Sequence, residues 1–170
     1  MRAAALAEDC IRTWREAQSW VDVAWESVLA ATAYRRGGES VLARARLRDG
    51  LRVGLEAADA QALIPGLEQA AALATESGQD DVALKLYGAA RALRDSSGYI
   101  FAMDHTARIV SGARLDQDRR DALLAEGAGW QLEEAARRAL ESLEMQTQEA
   151  GPGEMHPRQH AFRQGRTLEH

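Results

Sequence analysis

The stretch GQDDVALKLYGAARALRDSSG, residues 78–98, decides how the rest of the chain reads. Gly78 suits the left-handed conformation that ends a preceding helix, and Asp80 and Asp81 can cap the next helix at its positive end. Val82, Ala83, Leu86, Tyr87, Ala90 and Leu93 then fall on one apolar stripe at helical spacing. Lys85, Arg91 and Arg94 take the polar side, with both arginines toward the C-terminal end, where the helix dipole favours cations. Gly98 ends the helix. The small residues Ala83 and Ala90 require a second helix packed closely against them.

The pattern occurs twice, at a distance of about 40 residues, a period typical of helical repeats. Gly38-Glu39-Ser40 stands where Gly78-Gln79-Asp80 stands, Ala43 matches Ala83, Leu47 matches Tyr87 and Gly50 matches Ala90. Upstream of each glycine, Ala30 and Ala31 match Ala70 and Ala71. Small and large residues at fixed offsets around a turn are what two antiparallel helices of a tetratricopeptide-type hairpin need, and such hairpins stack because none buries its apolar face alone. An ordinary helical bundle, self-similar because it is rich in alanine, is the alternative.

The totals agree with either all-α reading. A chain of 170 residues suits one domain with a real core; alanine and leucine dominate, aromatics are 5% and there are three prolines. A net charge of -5 disfavours a phosphate-binding surface, so no direct nucleic-acid partner is expected. Cys10, the only cysteine, precludes an intrachain disulfide and points to a reducing, cytoplasmic setting. MRAAALAEDC has neither the apolar run of a signal peptide nor that of a membrane anchor. The lone Lys85 among many arginines hints at a GC-rich bacterial genome.

Working outward, residues 2 to 18 predict a first helix with Ala5, Leu6, Cys10, Ile11 and Trp14 on or near one face, the thiol being an inert buried one. Ser19 can cap a second helix that runs to Arg36 through Trp20, Val21, Ala24, Val28, Ala31 and Tyr34. A third, from Ser40 to about Ala58, carries Arg44, Arg46, Arg48 and Arg52, read as a solvated face because no aromatic platform is interleaved. Between Asp59 and Ser77, Pro65 either starts a helix or kinks a longer one at Ile64; the helical look of DAQAL favours the kink. Beyond Gly98, Tyr99-Ile100-Phe101 forms an apolar plug, 104–113 and 116–125 read as short helices, Gly127 and Gly129 mark a turn, and 131–146 closes the domain. The repeat domain thus spans 1–147. Residues 148–170 form a flexible tail, of which 168–170 resemble a vector scar.

Chemistry-bearing constellations are sparse. His156 and His160, with Glu154 nearby, have a metal-like spacing but sit in a proline-glycine stretch without four organised ligands, so neither metal nor cofactor is expected. His105 beside Asp104 could serve a helical-bundle enzyme, yet no nucleophile or second acid accompanies it. The glycines are spaced as helix stops, not as phosphate cradles. Carboxylate pairs such as Glu133-Glu134 stand at helix starts, where the dipole explains them. The chain reads as non-enzymatic.

ALKLYGAARALRDSSG, followed by AEGAGWQLEEAARRAL, resembles the C-terminal tetratricopeptide-like segment of large bacterial signal-transduction ATPases and LuxR-type transcriptional regulators. Ala83, Leu86, Gly88, Ala89, Ala90, Leu93, Arg94 and Gly98 match the first motif of that segment; Gly127, Leu132, Glu133, Glu134 and Ala135 match the second. With the hairpin-like SWVDVAWESVLAATAYRRGGE, the resemblance covers roughly residues 19 to 143. The stretch between Gly98 and Gly127 is shorter than in the family. No helix-turn-helix or nucleotide-binding loop accompanies the repeats, so DNA binding and ATP hydrolysis do not carry over.

The resemblance implies a short right-handed solenoid whose first hairpin helices line a concave groove. Trp25, Val28, Thr32, Arg35 and Arg36 would line it from one hairpin, and Pro65, Glu68, Ala72 and Thr75 from the next. Val28 and Thr32 replace the lysine and asparagine of carboxylate-clamp repeats, so capture of a peptide C-terminus is not implied. The expected function is a non-catalytic interaction or self-association module that binds a protein partner, the parent regulator's other domains or a second copy. The alternative is a sensor that holds a small metabolite in the groove.

Overall fold

The computed structural model describes residues 2–98 and 115–149, and among them every regular element is a helix. In chain order these are α1 (Arg2–Glu16), α2 (Trp20–Arg36), α3 (Ser40–Glu56), α4 (Ala60–Glu76), α5 (Asp80–Ser97), α6 (Gln117–Ala128) and α7 (Leu132–Glu149). The apolar plug at 99–101, the short helix at 104–113 and residues 150–170 lie outside the described residues, whereas residues 148 and 149, read as the start of the tail, continue α7.

Four turns of one geometry join the first five helices. Gln18, Gly38, Ala58 and Gly78 each take a positive φ, at 56°, 77°, 51° and 74°. At each turn the next residue's N–H reaches back five positions: Ser19 to Trp14 O at 3.0 Å, Glu39 to Tyr34 O at 2.9 Å, Asp59 to Gly54 O at 2.9 Å and Gln79 to Ala74 O at 2.8 Å. The left-handed residue itself donates three positions back, as Gly38 does to Arg35 O at 3.0 Å. Together these bonds form the Schellman motif, which satisfies the carbonyls that a helix end leaves bare. Gly98 ends α5 in the same left-handed region at 68°. The 40-residue repeat read from Gly38 and Gly78 is therefore matched by a backbone period half as long, hidden where Gln18 and Ala58 stand.

The motif also fixes where the following helices begin. The N-cap of α5 is Gln79, so Asp80 and Asp81 sit in its first turn and complement the dipole without capping. Ser19 does hold the N-cap position of α2, but its hydroxyl donates to the Asp22 carboxylate and not to the backbone. Asp59 is a true cap, accepting from Gln61 N at 3.0 Å, and Asp116 accepts from Arg119 N at 2.8 Å. Pro65 lies inside a continuous α4 near its first turns, where the missing N–H removes one helical bond only. Gly127 lies inside α6 and marks no turn.

The core is organised around α4. Helix α1 packs on α2, α2 on α3 and α4, α3 on α4, α4 on α5, α5 on α6, and α7 lies across α3, α4 and α5. With neighbours on all sides, α4 is buried without interruption from Ala62 to Ala74. Leu47, Leu51, Leu63, Leu67, Leu73 and Leu143 meet in this main core, and each buried leucine contributes about 1.5–3 kcal/mol. Small residues set the spacing between helices. A Cβ on Gly50 would lie 3.1 Å from Ala24 O, and one on Gly88 or Gly127 would overlap the backbone of Leu124 or Lys85, respectively. Backbone thus rests on backbone where α5 crosses α6.

Two of the α3 arginines are tied down and not merely solvated. Arg46 forks onto Glu8 of α1, with Nε to Oε1 at 2.5 Å and Nη2 to Oε2 at 2.6 Å, and Nη1 reaches Asp49 at 3.1 Å. Arg52 reaches Glu144 of α7 at 2.9 Å. Glu8 and Glu144 come from helices distant in sequence, which the spacing of the arginines along α3 does not reveal.

Candidate interaction surface

The groove positions read from the sequence fall on α2 and α4, but direct packing of these two helices closes much of the space between them. Val28 and Ala72 are core residues with no exposed surface. Pro65 is buried too. Thr32 is buried, and its hydroxyl donates to Val28 O at 2.9 Å within its own helix. Thr75, half-buried, does the same to Ala71 O at 3.1 Å. Neither hydroxyl is turned toward a ligand. These positions were expected to line an open groove, and the neighbouring helix fills it instead.

Two charged members of the set, Arg35 and Glu68, are engaged by residues outside it. Arg35 donates from Nε to Gln69 Oε1 at 3.1 Å and from Nη1 to Glu76 Oε1 at 2.8 Å, which joins the ends of α2 and α4. The Arg35 side chain is 7% exposed in this pair. Glu68, at 2% exposure, pairs with Arg94 of α5. Breaking such a buried pair by removing one member costs about 3–5 kcal/mol. On the outer side Arg36 is exposed, and Trp25 and Thr75 are half-buried. These three remain reachable.

A second polar cluster joins α7 to the turn between α4 and α5. Gln79 Oε1 accepts from Ser142 Oγ and from Gln146 Nε2, both at 3.1 Å, and Gln146 donates to Ser142 Oγ at 3.0 Å. Ser142 and Gln146 are buried, so these bonds fix the register of α7 on the turn. Near α1, Tyr34 Oη donates to Glu8 Oε1 at 3.1 Å. Burial first, and then the Glu8 charge, push the Tyr34 hydroxyl above its ordinary 10.0. The hydrogen bond to Glu8 raises the Arg46 guanidinium above its ordinary value, against the opposing effect of its burial. Burial and the Asp22 charge raise Glu26 above 4.5.

Sequence reasoning missed a surface at the start of the chain. Leu6 and Trp14 were assigned to a buried face of α1, yet Leu6 is 66% exposed and Trp14 36%. The face that α1 buries is Ala4, Ala7 and Ile11, and Cys10 is half-buried at its margin. Trp20 and Val21, across the turn, are also exposed, as are Val41 and Leu42 at the start of α3. The available signal was the breadth of the apolar arc on α1, wider than a single neighbouring helix covers.

Among the described residues no group of three or more histidine, cysteine or carboxylate side chains could hold a metal ion. Nor is any helix there long and apolar enough to cross a membrane. His105 with Asp104, and His156 with His160 and Glu154, lie outside the described residues. Comparison with protein-family models, curated proteins and solved structures returns no match. The class that stands is all-α, with paired helices joined by one recurring turn.

Proposed function

We propose that this chain is a non-catalytic helical-repeat module whose α2–α3 and α4–α5 hairpins stack in the tetratricopeptide manner as a short right-handed solenoid. In this reading it serves a cytoplasmic bacterial signalling or transcription regulator by contacting a protein partner, or another copy of itself. The recurrence of one Schellman turn every 20 residues, at 18, 38, 58 and 78, carries the reading, because such a period builds stacks in which each unit packs mainly on its neighbours. The same turns make the likeness to tetratricopeptide-bearing regulators worth testing. Against the metabolite-sensor alternative, Arg35 is engaged across helices by Gln69 and Glu76, and Glu68 by Arg94.

The test is affinity capture from lysate of the source bacterium, with the full chain beside a folded Trp25→Ala, Arg36→Glu variant. A defined protein recovered by the wild type and lost by the variant supports the module and places its contact surface at Trp25 and Arg36. A metabolite that raises the melting temperature, with no protein captured, would favour the sensor. Turnover abolished by single substitutions would end the non-catalytic reading.

A further inference from the structure

Two neighbouring arginines of α3 hold their charge without a partner. Arg44, Arg48 and Arg52 follow at intervals of four, so they share one face of the helix and rise about 6 Å from one to the next. Arg52 gives its guanidinium to Glu144 of α7. Arg44 and Arg48 are half-buried, and neither makes a hydrogen bond or ion pair among the described residues. The Nε of Arg48 is itself buried with no acceptor. The other half-buried arginines of the described residues, Arg35, Arg46, Arg94 and Arg120, each have one. A guanidinium drawn partly out of water is costly unless an anion meets it. On this face of α3 that demand is left open twice, one turn apart.

We propose that Arg44 and Arg48 dock an acidic helix of a protein partner, with carboxylates spaced one turn apart. The proposal rests on the interaction-module reading and adds to it a second contact surface, separate from Trp25 and Arg36. Arg52 shows the mode, since it takes its carboxylate from a helix that lies across α3. Glutamates four apart on a partner helix have the same ~6 Å spacing as the two arginines, so one helix laid along α3 can meet both. Val41, one turn before Arg44, is 53% exposed and gives such a helix an apolar foothold beside the charges.

The chain's own sequence offers little counter-charge from outside the described residues. Residues 99–114 hold Asp104 against Arg108 and Arg114, and 150–170 hold Glu154 and Glu169 against Arg158, Arg163 and Arg166. A nucleic acid fits less well than an acidic protein, because two cations on a chain of net charge -5 do not track a phosphate backbone.

Thermal melting and a peptide titration, both on the full chain, test the docking. Arg48→Met keeps the aliphatic stem and removes the unpaired charge, so it should raise the melting temperature by about 2–4 °C. Arg46→Met should lower it, because Glu8 loses its partner. The probe is a labelled, alanine-rich helical peptide with glutamates at every fourth position beside a leucine stripe, together with its glutamine twin. Fluorescence anisotropy should show saturable binding of the glutamate peptide only. Arg44→Gln with Arg48→Gln should weaken it roughly tenfold or more, and the charge-matched Arg15→Gln with Arg91→Gln should leave it unchanged. A lower melting temperature for Arg48→Met would make the guanidinium structural and overturn the docking. So would failure of the glutamate peptide to bind, or equal loss in both double variants. Displacement of the peptide by inorganic phosphate at matched ionic strength would assign the arginines to a free anion instead, and self-association that depends on them would assign them to a second copy. None of these outcomes touches partner capture through Trp25 and Arg36, so failure here is distinguishable from failure of the module reading.

Discussion

Helices α1 to α5 and helices α5 to α7 are held together by different means. The first set is joined by turns of one geometry, closed by backbone bonds that any sequence able to enter the left-handed region can make. In the second set, α5 and α6 touch backbone to backbone at Gly88 and Gly127, and α7 is keyed by Gln79, Ser142 and Gln146. The first arrangement tolerates sequence change at its joints, as Gln18 and Ala58 show. The second depends on particular residues, because a side chain at Gly127 has nowhere to go.

The largest effect should come from breaking that second arrangement. Gly127→Val forces a side chain into the Lys85 carbonyl and should cost more than about 3 kcal/mol, the upper range for overpacking, since backbone on both sides resists relief. Thermal melting and helical circular dichroism read this directly. An unchanged melting temperature would show that α5 and α6 separate without penalty. Leu67→Ala, at the centre of α4 where both sets of helices meet, should lose about 2–5 kcal/mol in urea unfolding. Ile11→Ala at the α1 edge should lose less, because few residues surround its cluster.

The turns allow a finer comparison with opposite signs. Gly78 has open space where a Cβ would stand, so Gly78→Ala isolates the left-handed penalty and should destabilise by about 1 kcal/mol. Ala58→Gly removes that penalty at an equivalent turn and should stabilise by up to about 1 kcal/mol, reduced by the added freedom of the unfolded glycine. If both changes destabilise, the two turns are not equivalent.

The smallest expected effect is electrostatic. Glu26 is raised above 4.5 in the folded chain, so its favourable contribution is complete below 4.5 and is lost as pH rises through the folded value. At neutral pH its charge is a burden. Glu26→Gln should raise the melting temperature slightly at pH 7, and the difference should vanish as pH falls below 4.5. A benefit that persists in acid would assign the effect to packing.

Much of the helical layout is legible in the sequence, because its signals are local. Gly38, Gly78 and Gly98 each end a helix in the left-handed conformation, and Asp116 caps where an acidic residue before a helical stretch should. Gln18 and Ala58 were not legible as left-handed residues, since neither side chain favours that region. Glycine as a helix stop was over-read at Gly127, where the same absence of a side chain serves close approach. At the candidate surface, Trp25 and Arg36 remain reachable, whereas Val28, Thr32, Glu68 and Ala72 are covered. Periodicity places a residue on a face of its helix; it does not say how many neighbours that face will meet.

By itself, then, the sequence determined the helices, most of their ends and the 40-residue recurrence, because φ preference, capping and apolar spacing act within a few residues. Tertiary structure alone decided that α4 would be enclosed from every side, that Glu68 and Arg35 would find partners on other helices, and that Leu6 and Trp14 would be left in the open. Those outcomes depend on which helices arrive from far along the chain. α2 and α4 share the same turns and the same register, yet they meet different numbers of neighbours.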